Sequence, residues 1–417
     1  MGCFDSLDDM ETTLDKARIA RAHAAQRSYG DPSTAMRIVG VTGTNGKTTT
    51  VQLTAAIMEH AGMVARSLGT INSPLTTLGE PELAQALARM RDDGVEVVAM
   101  EVSSHGLDQH RVDGVHFEVT AFTNLTQDHL DYHSDMACYF AAKKRLFLAL
   151  DSTVSVINVA CDAGIQLADE IARARPQRHL IRVGSADADV FARAIEPGAT
   201  STSFELVIGG QSEPVALPLV GAHNIENALV AAGCAHALGV DGAVIAAALA
   251  RAPQIPGRLQ RIGADAPFSV FIDYAHTPDA LEHALTALRT VTDGALTVVF
   301  GCGGDRDQAK RPLMGAIAAR LSDRTILTCD NPRSEDPAAI IEAIRTGFEA
   351  EGSGVCQVEV DRARAIAAAI EAAHPGDSVL IAGKGHETYQ IFAERTIDFD
   401  DAQVAGDALT RQGFTRE

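Results

Sequence analysis

From Met36 onward, short β-branched runs alternate with alanine-rich stretches whose apolar residues recur at helical spacing. Such alternation predicts parallel strands covered by helices, an α/β fold. Arg37 to Val41, Val95 to Val102, Val119 to Thr123, Val154 to Ile157, Leu296 to Phe300, Arg324 to Leu327 and Ser378 to Ile381 read as strands. Ahead of them Leu14 to Ala25 reads as one helix, stopped by Tyr29-Gly30-Asp31-Pro32, so residues 1–35 are too few for a domain of their own. The turn cluster Pro253-Gln254-Ile255-Pro256-Gly257 ends a helix-rich stretch and leads to a further strand, Phe268 to Ile272. It sets a domain boundary near Arg258, with one domain over residues 36–258 and another over residues 259–417.

Composition narrows the class. In 417 residues, 46% are hydrophobic, enough for real cores, so disorder is not the expectation. A net charge of -20 repels nucleic-acid backbones and anionic lipid, so any bound phosphate needs a local site. The seven cysteines, Cys3, Cys138, Cys161, Cys234, Cys302, Cys329 and Cys356, contain no C-x-x-C pair, which suggests neither a zinc ribbon nor a disulfide framework. No apolar run reaches the ~18 to 20 residues of a membrane helix, and the start MGCFDSLDDMETT is acidic where a secretory signal is basic and then apolar. A soluble protein of a reduced cytoplasm is the expectation.

The strand Arg37 to Val41 runs into Thr42-Gly43-Thr44-Asn45-Gly46-Lys47-Thr48-Thr49-Thr50, and a helical pattern, Val51 to His60, follows. Strand, glycine loop and helix together wrap backbone N–H groups around phosphate oxygens at a helix N-terminus. Gly43, Thr44, Asn45, Gly46 and Thr49 supply the loop, Lys47 meets the β- and γ-phosphates, and the Thr48 hydroxyl suits Mg²⁺. The strict G-x-x-x-x-G-K-T spacing is not met, because Val41 stands at the first glycine position. ATP and Mg²⁺ are the ligands expected.

This loop is accompanied by Met100-Glu101-Val102-Ser103-Ser104-His105-Gly106, Asn124-Leu125-Thr126-Gln127-Asp128-His129, Gly221-Ala222-His223-Asn224-Ile225-Glu226-Asn227, Gly303-Gly304-Asp305-Arg306, Asp330-Asn331-Pro332-Arg333 and Gly383-Lys384-Gly385-His386-Glu387. Taken together, from about residue 12 to the end, the chain resembles the Mur ligase family, the ATP-dependent amide-bond ligases of cell-wall precursor assembly, with folylpolyglutamate and cyanophycin synthetases as relatives. Within the family it is most similar to the MurE-type branch, which adds meso-diaminopimelate. The resemblance implies a central P-loop ATPase domain followed by a Rossmann-like C-terminal domain, with an active site between them completed by domain closure. Carboxylate, amine and ATP would give amide, ADP and phosphate through an acyl phosphate. Catalysis would rest on Lys47, Glu101, His129 and Lys143, with Thr48, Glu101, His129 and Lys143 at the metals. Lys143, in Tyr139-Phe140-Ala141-Ala142-Lys143, matches a lysine that CO₂ carbamylates, whereas Lys144 is an ordinary surface lysine.

By the same resemblance Thr76, Thr77, Ser103, Gln109 and Arg111 contact the L-alanyl-D-glutamate portion of the donor, and their hydroxyls, amide and guanidinium suit peptide and carboxylate groups. Arg306, Asp330, Asn331, Arg333, Gly383 and Glu387 would hold the incoming amino acid, Arg333 taking a distal carboxylate. Asn227, Arg258, Asp273 and His276 are ATP-side contacts, with Tyr274 and Lys384 beside them. Ser103 near His105 invites a hydrolase reading, but Ser-Ser-His-Gly is not a G-x-S-x-G elbow. The chain departs from the family at Asn158-Val159-Ala160-Cys161-Asp162, where Asn-x-Asp-Asp is usual, and in showing only the exit helix, Leu14 to Ala25, of a UDP-binding N-terminal domain. Two rivals therefore stand beside the MurE-type reading: a specialised biosynthetic ligase whose donor lacks a nucleotide, and a nucleotide-binding partner subunit without catalysis. Small-molecule substrates are expected, without nucleic acid or membrane, in a monomer or beside a partner subunit.

Overall fold

The computed structural model describes residues 13–130, 132–352 and 354–415. It divides into two compact units, one of Met1–Glu196, Ser203–Pro218 and His223–Pro253, the other of Pro197–Thr202, Leu219–Ala222 and Gln254–Glu417. The helix Thr13–Ser28 belongs to the first unit, where Arg21 meets Glu80 at 3.3 Å. The second unit takes up the chain at Gln254, a little ahead of the expected boundary.

The first unit holds a nine-stranded sheet whose strands are β1 (Arg37–Thr42), β2 (Ala65–Leu68), β3 (Val97–Glu101), β4 (Val119–Phe122), β5 (Val154–Asn158), β6 (His179–Val183), β7 (Val190–Pro197), β8 (Thr202–Ile208) and β9 (Gln211–Leu217). Their order is β2-β3-β1-β4-β5-β6-β7-β8-β9. Strands β1, β3 and β4 are almost wholly buried, which explains why they read as continuous apolar runs and not as alternating ones. Because the chain leaves β1 toward β2 and β3 on one side and continues through β4 on the other, the sheet reverses direction beside β1, where ligands of such sheets bind.

The second unit is a six-stranded sheet of β10 (Gln260–Ile262), β11 (Ser269–Asp273), β12 (Leu296–Phe300), β13 (Arg324–Leu327), β14 (Val355–Val358) and β15 (Ser378–Ala382), ordered β10-β11-β15-β12-β13-β14. Only the β10–β11 pair is antiparallel. Alternation along the strands feeds two cores: Phe271, Leu296, Val298, Phe300 and Leu380 pack on one face, Val270, Ile272, Val299, Val379 and Ile381 on the other. A two-stranded ribbon, β16 (Tyr389–Ile391) with β17 (Thr396–Asp398), follows. Cys161, Cys234, Cys302, Cys329 and Cys356 are free, whereas Cys138 is disulfide-bonded, an exception to the expectation drawn from cysteine spacing. Cys3 lies outside the described residues. Among those residues no helix is long and apolar enough to cross a membrane.

Candidate active site

In the first unit, register brings three strand ends level: Val41 pairs with Glu101 on β3, and Thr42 with Phe122 on β4. The loops leaving these ends carry the chemistry. The glycine loop is stitched to the loop after β4, since Thr44 N donates to Asn124 O and Asn45 N to Asn124 Oδ1, each at 2.9 Å, and Thr126 N donates to Thr44 Oγ1 at 3.0 Å. The helix that follows spans Lys47–His60, four residues earlier than expected, so Lys47 and Thr48 stand in its first turn. Gly46 caps it with φ 85°, and a Cβ at that position would lie 2.0 Å from Asn227 Oδ1. Only glycine satisfies both the left-handed backbone and the close approach. Asn227 is thereby placed against the loop, and Thr49 is buried in the helix below it.

Glu101, buried at the end of β3, accepts from Thr48 Oγ1 at 3.1 Å, from Thr70 N at 2.8 Å and from Thr70 Oγ1 at 3.2 Å. Gly69 leaves room for this carboxylate, because a Cβ there would sit 2.3 Å from Glu101 Oε1. Sequence reading missed Gly69 and Thr70, which carry no motif and come from a different loop. One carboxylate and one hydroxyl form the oxygen set that Mg²⁺ accepts when phosphates and water complete its shell, so the residues fit that ion. Among the described residues no group of three or more His, Cys, Asp or Glu gathers as a metal centre in its own right.

Two lysines converge on one carbonyl. Lys47 Nζ donates to Gly43 O at 3.0 Å and Thr44 O at 2.7 Å, while Lys143 Nζ donates to Gly43 O at 2.7 Å and lies 4.2 Å from the centre of the Tyr139 ring. Tyr139, one helical turn before Lys143 on the helix Met136–Leu148, donates its hydroxyl to Thr44 Oγ1 at 3.2 Å. The Lys143 side chain is 1% exposed, and burial, reinforced by the charge of Lys47, holds its ammonium well below the usual lysine pKa. His129 sits at φ 55°, its ring 4.9 Å from His105 and 6.0 Å from Tyr139, and desolvation with the nearby cations pushes its pKa down to about 4. A neutral imidazole is a competent metal ligand.

The expected donor contacts assemble on the same strand end. Thr77 Oγ1 lies 3.0 Å from the Glu101 carbonyl and 3.1 Å from Ser103 Oγ, and Ser103 N donates to Thr77 Oγ1 at 2.9 Å. Arg111 donates to Thr77 O at 2.7 Å and grips Gln109 Oε1 at 2.6 and 3.0 Å, while Thr70 Oγ1 and Thr76 Oγ1 lie 3.2 Å apart. Ser103 Oγ also caps the short helix Ser104–Asp108 by accepting from Gly106 N, a structural task unlike that of a hydrolase nucleophile. Between Gln109 and Arg111 stands His110, which sequence reading passed over. It is buried at φ 60° and held by Asp113 at 2.8 Å, which turns the chain at the residue joining the two contacts. Farther along, Asn158 Nδ2 donates to Thr123 O at 2.9 Å and Glu226 Oε2 at 3.0 Å, and Cys161, at a helix N-cap, turns its thiol to Asn158 O at 3.8 Å and not to the helix.

In the second unit the ends of β11, β15, β12 and β13 are level, with Asp273 opposite Ala382 and Phe300 opposite Leu327. Lys384, wholly buried, donates to Asn331 Oδ1 and to Glu387 Oε2, both at 3.2 Å, and lies 4.0 Å from Asp330. Asn331 Nδ2 donates to the same Glu387 oxygen at 2.9 Å. A Cβ on Gly383, which sits at φ 114°, would lie 2.6 Å from Asp330 Oδ2, and Arg333 Nη1 lies 3.0 Å from the Cβ position of Gly303. Arg306, Asp330, Asn331, Arg333, Gly383 and Glu387 are thus gathered on the loops after β12, β13 and β15. Both Asp273 oxygens are taken, by Leu259 N at 2.6 Å and Ala275 N at 2.8 Å, and desolvation raises its pKa to about 6 against the pull of Arg258. Arg258 stacks 4.8 Å over the Tyr274 ring, and His276 Nδ1 is 2.8 Å from Tyr274 O.

The chain matches two family descriptions, "Mur ligase middle domain" over residues 41–235 and "Mur ligase, glutamate ligase domain" over residues 257–385. A Xylella fastidiosa protein named UDP-N-acetylmuramoyl-L-alanyl-D-glutamate--2,6-diaminopimelate ligase is 46% identical over 391 residues, 91% of this chain and 79% of that one. The chain belongs to the Mur ligase family. A Bacillus velezensis Mur ligase of the same name is 42% identical, over 91% of this chain and 80% of its own. Among solved structures, one bearing that name matches with a TM-score of 0.69 and 34% identity, covering 95% of this chain and 84% of that one. Mycobacterium tuberculosis folylpolyglutamate synthase matches at 0.72 with 20% identity over 89% and 93%, a likeness of fold alone.

Proposed function

We propose that this Mur ligase joins the D-glutamyl carboxylate of a UDP-N-acetylmuramoyl-L-alanyl-D-glutamate donor to an amino group of diaminopimelate, with ATP converted to ADP and phosphate. The observation that carries the reading is one network at the end of β3. Thr48 and Thr70 hold the Glu101 side chain, while Thr77, hydrogen-bonded to Ser103 and Arg111, lies against the Glu101 carbonyl. Groups suited to a nucleotide phosphate and groups suited to a peptide carboxylate therefore share one residue.

The chemistry follows. A donor carboxylate oxygen attacks the γ-phosphorus, the bond to the ADP oxygen breaks, and an acyl phosphate forms; the amine nitrogen then attacks the acyl carbon and phosphate departs. Lys47 and the amides of the glycine loop stabilise charge that develops on the transferring group. Mg²⁺, when bound at Thr48 and Glu101, supplies the charge neutralisation that lets two anions approach. Arg111 and Gln109 orient the donor. Lys143, as a neutral amine, would add to the carbon of CO₂ with its proton passing to water, and the resulting carbamate would offer oxygen atoms to Mg²⁺. In the second unit Asn331, Glu387 and Lys384 receive the amino-acid end of diaminopimelate, and Arg333 its distal carboxylate.

The test is phosphate release with ATP, donor and amine varied separately. Release should require all three, and Lys47→Ala should lower it about a hundred- to thousandfold. Arg333→Ala should weaken diaminopimelate far more than lysine, by ~2 to 5 kcal/mol for loss of one partner of a desolvated charge pair. Turnover without an amine, or an unchanged preference between the two amino acids, would defeat this reading.

A further inference from the structure

Two loops of the second unit each carry one arginine of the amino-acid site, Arg306 after β12 and Arg333 after β13, and the residues beside each arginine bind the opposite loop. Ser334, which follows Arg333, donates its hydroxyl to Asp305 Oδ1 at 2.6 Å and its backbone N–H to Asp305 Oδ2 at 3.1 Å. Asp305, which precedes Arg306, donates its own N–H to Glu335 Oε1 at 2.6 Å. Gly304 N donates to Asn331 O at 2.9 Å, and Arg333 Nη1 to Gly304 O at 2.9 Å. Behind them Arg311, 4% exposed, grips both Glu335 oxygens at 2.8 and 2.9 Å.

The backbone is strained at the two places where these loops turn. Asp305 has φ 54° and Arg333 φ 53°, a region that a residue with a side chain adopts only where the surroundings over-determine it. Here the surroundings are the bonds just named and, at Arg333, its own backbone N–H donating to Ile391 O at 3.0 Å. Arg333 is held through Nη1, and its Nε and Nη2 edge has no protein partner among the described residues, which is the edge that pairs side-on with a carboxylate. A long side chain selects by distance only if its base is fixed; the staple ties the two arginine-bearing loops to each other, and β16 holds the base of Arg333 as well.

We propose that the Asp305–Ser334 staple, braced by Arg311 and Glu335, is a positioning device that sets the separation of Arg306 and Arg333 and so selects an amino acid carrying a carboxylate at its far end over one ending in an ammonium. It rests on the reading of these loops as the amino-acid site. Loosening the staple lets the arginines wander by about an ångström, and misplacement on that scale costs up to about a hundredfold in oriented reactions. Lysine, which makes no use of the distal fork, is insensitive to it.

Ser334→Ala removes the hydroxyl while leaving the backbone bond, Ser334→Thr keeps both, and Glu335→Gln weakens the brace without altering its shape. For each full-length variant KM and kcat are measured for diaminopimelate, lysine, ATP and the carboxylate donor, alongside thermal unfolding. The expected result is a KM for diaminopimelate raised about tenfold in Ser334→Ala, with the values for lysine, ATP and donor unmoved and the diaminopimelate value restored in Ser334→Thr. Should Ser334→Ala unfold, Glu335→Gln carries the same expectation with a smaller change. Equal losses toward diaminopimelate and lysine, or no change toward either, would make the staple merely structural and overturn the proposal alone. Absence of diaminopimelate-dependent phosphate release in the wild type would overturn the underlying reading, and the staple's role with it.

Discussion

Lys143 shows what a single buried residue can and cannot declare. On an amphipathic helix a lysine ordinarily faces water, and the resemblance alone set it apart from Lys144, which indeed pairs with Glu170 at a partly exposed surface. Burial supplies the physics that the sequence withheld. An ammonium enclosed beside Lys47 is disfavoured twice, by desolvation and by like charge, so at neutral pH the free amine gains weight. A carbamate at that nitrogen would turn repulsion from Lys47 into attraction, so the proposed modification would relieve the like-charge part of that cost. Lys143→Ala should therefore lose at least about a hundredfold in phosphate release. Acetate or formate should restore part of that loss by occupying the vacated space, and Lys143→Arg should not be rescued. Full activity of Lys143→Ala without additive would remove this nitrogen from the mechanism. Gly69 and Thr70 stayed illegible for a related reason: each matters through Glu101, distant in sequence, and nothing local marks it.

At the scale of elements, the strands that carry the site were legible because both faces of each are buried, which leaves unbroken apolar runs ending at motif residues. Expected and observed bounds agree for Leu296–Phe300 and Arg324–Leu327, and β1 extends only one residue further. The helix start at Lys47 was misjudged because its first turn reads as Lys-Thr-Thr-Thr, poor in apolar residues, and is fixed by a glycine cap and by Asn227 from another helix. Strands β7 and β9 escaped notice since their exposed, half-polar sequence gives a weak period. Asp273, read as an ATP-side contact, ends β11 by tying down Leu259 and Ala275, and its pKa of about 6 gives a stability signature. A carboxyl raised from 3.8 on folding favours the folded state while protonated, so its contribution is present at acid pH and lost as pH rises through about 6. Relative to Asp273→Asn, the wild type should lose up to about 3 kcal/mol of unfolding free energy between pH 4 and 7.5, from about two units at 1.36 kcal/mol each. Chemical denaturation across that range would check it, and a parallel pair of curves would show that the group is ionised throughout.

For the molecule as a whole, a net charge of -20 opposes two of the substrates in the proposed reaction, since ATP and a nucleotide-linked peptide donor are anionic, whereas diaminopimelate is a zwitterion of no net charge. Attraction is confined to a few cations, Lys47 and Lys143 at the glycine loop and Arg306, Arg333 and Lys384 in the second unit, each acting over contact distance. These two influences respond differently to salt. The Debye length falls from about 30 Å at 0.01 M to about 8 Å at 0.15 M, so the field of distant acidic residues is screened while pairs in contact are little affected. Encounter of the anionic donor should therefore quicken as salt is added, the reverse of an electrostatically steered enzyme. With free Mg²⁺ and ATP held constant and saturating, kcat/KM for the donor should rise about two- to fivefold between 0.01 and 0.15 M potassium chloride. The value of kcat should stay level, because the chemical step occurs after the long-range field has been overcome. A fall in kcat/KM over that range would mean that the local lysines and arginines already dominate the approach, and that the acidic surface leaves the mouth of the site clear.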